Sequence, residues 1–191
     1  MLVDRYYEDA PLSYVTTNNY KGGLQATELL ISNGHKRIAC IQGVPNTMRV
    51  RGYRKAMEEA GLGGYELIRG NEFSVQNGYL ETKLLLGSTP CPTAIFALSN
   101  TILLGAIKAI REAGLRIPED ISIISFDNNK YLDYMVPPIH RVSQPVEDMA
   151  KLACRILFER ISGAHVPEVT RLALSPVLVA GASVAKVRRV R

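Results

Sequence analysis

The chain has 191 residues, 47% hydrophobic and 21% charged, a balance that excludes a disordered segment and allows one α/β domain or two small lobes. No apolar run approaches the roughly 20 residues that span a bilayer, and the opening MLVDRYYEDAP has no basic n-region leading into an apolar h-region. The net charge of +5 falls to about +1 without Lys186, Arg188, Arg189 and Arg191, so the basicity is that of a terminal tail, expected to be a solvated, frayed end and not a nucleic-acid-binding face.

Short β-branched runs alternate with longer amphipathic stretches. MLVDR is a predicted strand, and it opens the chain with no element before it, which predicts an N-terminally incomplete domain. The spacing of Leu24, Ala26, Leu29 and Leu30 predicts a helix over residues 19–33, with Gly34 as its C-cap. RIACI (37–41) reads as a buried strand, residues 51–60 as a helix closed by Gly61, and 65–68 as a strand. A helix over 75–86, a strand at 93–98, a helix over 102–113 stopped by Gly114 and a strand at 121–126 continue the rhythm. After Phe126 it breaks, in a stretch with three prolines (Pro137, Pro138 and Pro145), irregular sequence and a short strand at 139–142. A helix follows over 146–161, with Glu147 and Asp148 in its first turn, where the helix dipole favours anions. Residues 169–179 read as one or two strands interrupted by Pro176. Strands and helices alternating in this way imply a parallel sheet flanked by helices. Ligands of such sheets sit at the carboxyl edge, here the loops after Ile41, Leu67, Leu98 and Phe126.

Signals for catalysis are scarce. Cys40, Cys91 and Cys154 are far apart, odd in number and without a CxxC pair, so neither a disulfide framework nor a zinc site is expected. Cys40 and Cys154 sit in apolar runs and read as small core residues of a protein in a reducing cytoplasm. His35, His140 and His165 lie in turns or beside prolines and read as surface residues. There is no GxSxG, HExxH or Walker-type loop, and Gly22-Gly23 has the wrong spacing for a dinucleotide site. No catalytic residue, metal ligand or cofactor is expected.

What remains is a set of polar and aromatic groups at strand ends: Arg49, Phe73, Asn100 and Asp127. A guanidinium, an aromatic face, an amide and a carboxylate converging at one sheet edge suit a small polyol or base. Each also has a plainer reading. Asp127-Asn128 fits turn chemistry, Arg49 a solvated residue of a first helical turn, Phe73 a core residue and Asn100 a helix N-cap.

Four segments, in order, are together similar to the lactose/galactose-repressor (LacI) family. They are LISNGHKRIACIQG, RVRGYRKAMEEAGL, PTAIFALSNTILLGAIKAIREAGLRIPEDISIISFDN and VPPIHRVSQPVEDMAKLACRILFERISG. The resemblance runs from about Val3 to Val179. It implies a two-lobed, periplasmic-binding-protein-like fold with an effector held between lobes. Residues 6–130 and 166–183 would form the C-terminal lobe, and residues 1–5 and 137–162 would belong to the N-terminal lobe. The family's DNA-binding headpiece is not among these residues.

The resemblance further implies a small-molecule-responsive transcriptional regulator of repressor type, acting in the cytoplasm as a homodimer without membrane contact. Its partners would be an effector (a sugar, sugar derivative or nucleobase) and operator DNA. Arg49 matches the arginine of the family's Arg-x-x-Gly-aromatic motif that reaches the effector. Asp127 matches the aspartate after the strand-ending Phe, Phe73 an aromatic that packs on the effector, and Asp4 and Arg5 lie near the first lobe crossing. Ser99-Asn100 replaces the Asn-Asp of many relatives, so an amide that both donates and accepts stands in place of a carboxylate. GVPNTMR (43–49) is shorter than the usual loop. The alternative is a periplasmic sugar-binding protein of a transporter. An α/β enzyme would need a nucleophile–base pair or phosphate loop, and neither is found.

Overall fold

The computed structural model describes residues 1–7, 10–45, 47–163 and 167–187. In chain order these form β1 (Leu2–Val3), β2 (Tyr14–Thr17), α1 (Asn19–Ser32), β3 (Ile38–Ile41), α2 (Met48–Glu59), β4 (Leu67–Arg69), α3 (Val75–Leu86), β5 (Ala94–Ala97), α4 (Asn100–Glu112) and β6 (Ser122–Phe126). Then come β7 (His140–Ser143), α5 (Val146–Ile161), β8 (Arg171–Leu174) and β9 (Val177–Val179). The chain divides into two compact units: Met1–Asn18 with Gln144–Val177, and Asn19–Ser143 with Leu178–Arg191.

The larger unit is built on a six-stranded sheet ordered β4-β3-β5-β6-β7-β9, and β4 through β7 pair in parallel. Side chains alternate across each strand. Cys40, Phe96 and Ile124 therefore fall on the face covered by α1 and α2, where they pack with Leu30, Val50, Tyr53 and Met57. Ile41, Ile95 and Ile123 fall on the other face, against Ile102, Leu103, Ala106 and Ile110 of α4 and Leu85 of α3. Because both faces are covered, the central strands read as continuous apolar runs and not as alternating ones. Each fully buried side chain of this size contributes about 1.5–3 kcal/mol relative to an exposed one.

Two features of this unit bear on function. First, α1 and α2 approach so closely that a Cβ on Gly23 would overlap the Arg49 carbonyl, and one on Gly52 would overlap the Tyr20 carbonyl. These glycines press the first turn of α2, which carries Arg49, against the start of α1. Second, residues 182–187 are bound along the amino edge of the sheet. Ala182 N–H donates to Pro138 O, Ile123 N–H to Ser183 O, Ala185 N–H to Ser122 Oγ and Val187 N–H to Asn33 O. Ser183, fully buried, donates from Oγ to Ile123 O (2.6 Å) and accepts from His140 N–H (2.8 Å).

The smaller unit has a parallel three-stranded sheet, β1-β2-β8, with α5 beside it. Val15 packs with Met149, Ala153 and Ile156, flanked by Leu152, Leu172 and Leu174. Leu157, Phe158 and Ile161 of α5 are exposed.

The α/β class, with parallel sheets and flanking helices, is as the residue pattern indicates. The unit boundaries differ. The described residues of 6–18 belong to the smaller unit, because Tyr14–Thr17 forms an unanticipated strand that bridges β1 and β8. Residues 137–143 belong to the larger unit, because β7 pairs with β6. The described residues of 166–177 belong to the smaller one, because β8 pairs with β2. A four-residue strand ending in two threonines (YVTT) carries too little periodicity to be read alone.

Other expectations are corrected too. Cys154 is exposed on α5, while Cys40 is buried as expected and its thiol pKa is pushed up by that burial. His35 is buried, not superficial, and His140 is half-buried; His165 lies outside the described residues. Lys186 and Val187 extend a docked segment and not a frayed end, whereas Arg188, Arg189 and Arg191 lie outside the described residues.

Candidate functional site

The register aligns the carboxyl ends of three strands: Ile41 pairs with Ala97, and Ala97 with Ser125. The next row is therefore Gln42, Leu98 and Phe126, and its side chains point to the face that α2 covers. Arg49 reaches this row from α2. Its helix begins three residues earlier than the expected 51–60, so Arg49 lies inside the first turn.

Its side chain is only 14% exposed. Nε donates to Asn19 Oδ1 at 2.7 Å and Nη1 to Leu98 O at 2.7 Å. Nη2 stands 3.6 Å from Asp127 Oδ1, and the guanidinium carbon lies 3.7 Å above the Phe126 ring centre. A planar fork held on three edges and one face is pre-organised. Cation–π contact over a desolvated ring adds to the hydrogen bonds.

Asp127 is 31% exposed and sits at φ +79°, a left-handed conformation that costs a non-glycine residue on the order of 1 kcal/mol. Its N–H donates to Val142 O at 2.9 Å, which holds the strained turn in place. Strain of this kind persists where the surroundings over-determine it, and such residues cluster at ligand sites. The arrangement turns the carboxylate toward Arg49, so the two charges balance.

Asn100 is buried, and its Oδ1 lies 3.5 Å from Ser125 Oγ. It is not the helix cap. Ser99 caps α4, its Oγ accepting from Ile102 N–H at 3.3 Å. Phe73 is 44% exposed, with its ring lying over Gly43 where any Cβ would collide with it. It stands as an aromatic shelf beyond β3, not as a core residue.

The carboxyl edge thus carries the Arg49–Asp127 pair at Leu98 and Asn100 at Ser125, with the Phe73 ring, from the loop after β4, over Gly43 of the loop after β3. Asp4 and Arg5 lie in the smaller unit, both exposed. Asp4 has φ +70° and donates its N–H to Val15 O. Residue patterns missed three partners of Arg49. Asn19 and Leu98 act through positions that only tertiary packing defines, and Phe126 is indistinguishable from core in an apolar run.

Chemically, the cluster offers fixed N–H donors, a carboxylate, an amide and an aromatic face. Among the described residues no three His, Cys, Asp or Glu side chains are grouped to hold a metal ion. His35 lies before β3 and His140 starts β7, both at the amino edge and away from this cluster. No described helix is long and apolar enough to cross a membrane.

Known proteins bear on these features. The periplasmic binding protein-like domain family matches residues 27–184. The chain is 36% identical over 173 residues to the HTH-type transcriptional regulator CelR of Thermobifida fusca, covering 88% of this chain and 51% of that protein. It is 34% identical over 178 residues to the ribose operon repressor of Escherichia coli, covering 90% and 53%. The crystal structure of a LacI family transcriptional regulator from Enterococcus faecium with bound ribose superposes with a TM-score of 0.88 at 27% identity, covering 98% of this chain and 71% of that one. The chain spans about half the length of the curated relatives it matches. It belongs to the periplasmic binding protein-like domain family.

Proposed function

We propose that this chain senses a neutral sugar for a transcriptional regulator, probe molecules such as D-ribose binding at the carboxyl edge of the six-stranded sheet. The observation that carries the reading is the Arg49–Asp127 pair. The guanidinium already has a carboxylate 3.6 Å away, so a second anion is not called for, while sugar hydroxyls suit both partners. Asn100 adds an amide able to donate and accept, and Phe73 offers its face to the apolar side of a sugar ring. Asp4 and Arg5 are further candidates, supported only by the family resemblance. The complete regulator would read operator DNA as a cytoplasmic homodimer through a separate headpiece. Effector binding would shift it between DNA-binding and non-binding states by its differential affinity for the two.

Calorimetry of the full-length protein against D-ribose, D-glucose, cellobiose and hypoxanthine tests this reading. Arg49→Ala and Asp127→Ala are each expected to weaken sugar binding about 100-fold, the usual scale for truncating one partner of a hydrogen-bonded charge pair. Unchanged affinity in both variants, or binding of hypoxanthine alone, sinks it.

A further inference from the structure

Gln42 is the residue immediately after β3, and it is 92% buried (8% exposed). Its main chain is fully used: N–H donates to Arg69 O at 2.8 Å, and the carbonyl accepts from Asn77 Nδ2 at 3.1 Å. Its side chain is not. Oε1 is buried and makes no hydrogen bond among the described residues. Leaving a buried amide unsatisfied is costly, and natural proteins keep few such groups.

Its direction follows from the strand. Ile41 faces α3 and α4, and Gly43 faces the Phe73 ring that precedes α3. The residue between them faces α2. Gln42 therefore shares a row and a face with Leu98 and Phe126, the two residues that Arg49 engages. A second orphan flanks the same loop: Thr47, the N-cap residue of α2, makes no capping bond, and its Oγ1 is buried without a partner. Other orphan atoms of the larger unit, on Gln25, Arg37, Thr82 and His140, belong to α1, the approach to β3, α3 and the start of β7.

We propose that Gln42 determines effector specificity: its buried Oε1 accepts no hydrogen bond in the free protein and accepts one from a hydroxyl of the bound sugar. The proposal rests on the sugar-sensing reading above and adds to it a residue that neither the sequence motifs nor the family resemblance singles out. A site built around a waiting hydrogen-bonding group rejects analogues that lack the matching group. The same group burdens the free protein, so function and stability pull in opposite directions at this position.

The test compares full-length wild type, Gln42→Met and Arg49→Ala by thermal unfolding and calorimetry, with D-ribose, D-glucose and cellobiose and their monodeoxy analogues as probes. Methionine keeps the length and removes the amide. Gln42→Met is expected to raise Tm without ligand by roughly 2–4 °C. It is also expected to weaken sugar binding about tenfold or more, and to bind one monodeoxy analogue as well as the parent sugar. A lower Tm without ligand means the amide has a structural partner and overturns the proposal. Sugar affinity within twofold of wild type overturns it as well, provided Arg49→Ala has lost binding. If no probe binds wild type, the sugar-sensing reading itself fails. The Tm of the unliganded variant then decides alone whether Gln42 is an unsatisfied group, and no increase overturns the proposal.

Discussion

The two edges of the six-stranded sheet are made of similar residue types and put them to opposite uses. At the amino edge, polar side chains close on one another. His35 Nδ1 lies 2.9 Å from Thr93 Oγ1 and its Nε2 3.0 Å from Ala185 O, while Ser122 Oγ accepts from Ala185 N–H and Ser183 Oγ donates to Ile123 O, fastening the segment 182–187. At the carboxyl edge, Asp127 is held in a left-handed conformation, Gln42 and Thr47 keep buried oxygens without partners, and Phe73 lies exposed. The contrast is one of degree: Arg37 Nε and His140 Nδ1 stay unpartnered at the amino edge too, but only the carboxyl edge joins such atoms to a strained Asp127 and an exposed Phe73, as the proposed recognition end requires.

Substitutions at both edges sharpen that contrast. Arg49→Ala strips partners from Leu98 O, Asn19 and Asp127 at once and is expected to destabilise the larger unit by about 2–3 kcal/mol. Denaturant unfolding of the variant measures it. A loss that large would show the carboxyl edge is also part of the scaffold, whereas a loss below about 0.5 kcal/mol, the range of ordinary surface substitutions, would make Arg49 purely a ligand group. His35→Ala removes two hydrogen bonds and buried volume and should cost about 2 kcal/mol, with the segment 182–187 exchanging its amide hydrogens faster.

His35 also predicts a pH dependence. Burial lowers its pKa below the ordinary 6.5, against a smaller opposite effect from the Ala185 carbonyl, and burial lowers that of His140 too. The folded state holds these rings neutral, so below pH 6.5 the unfolded chain binds more protons. Stability is therefore complete above that pH and declines as pH falls from it toward the lowered folded values. In wild type Thr93 then donates to Nδ1, and Nε2–H donates to Ala185 O. His35→Gln should flatten the decline below pH 6.5; an unchanged slope would assign it to other groups. The smallest expected effect is a near-cancellation. Asp127→Gly relieves left-handed strain of about 1 kcal/mol but leaves the Arg49 guanidinium without its carboxylate, so stability should change by less than about 1 kcal/mol while sugar binding weakens.

Much of the scaffold was legible in the residues, for identifiable reasons. The buried strands of the larger unit announce themselves as unbroken apolar runs because helices cover both faces, and the helices end at glycines that adopt positive φ, Gly34, Gly61 and Gly114. β2 was not legible, since its identity comes from pairing with β1 and β8 and not from any pattern of its own. In the site, Arg49 and Asp127 stand out as charges at strand and helix ends. Gln42 does not: an amide after a strand carries no signal until packing shows that nothing satisfies it. His35 was misread for the complementary reason. A histidine in a Gly-His turn looks exposed until residues 182–187 are laid across it.

That docking segment also constrains the order in which the molecule is made. The larger unit is discontinuous, and the residues that bind its amino edge come after an excursion of the chain through the smaller unit. On a ribosome, the six-stranded sheet would emerge as far as β7 with His35, Ser122 and Ile123 still waiting for partners. It would be completed only after Gln144–Val177 had been synthesised, so the last hydrogen bonds to form join residues far apart in sequence.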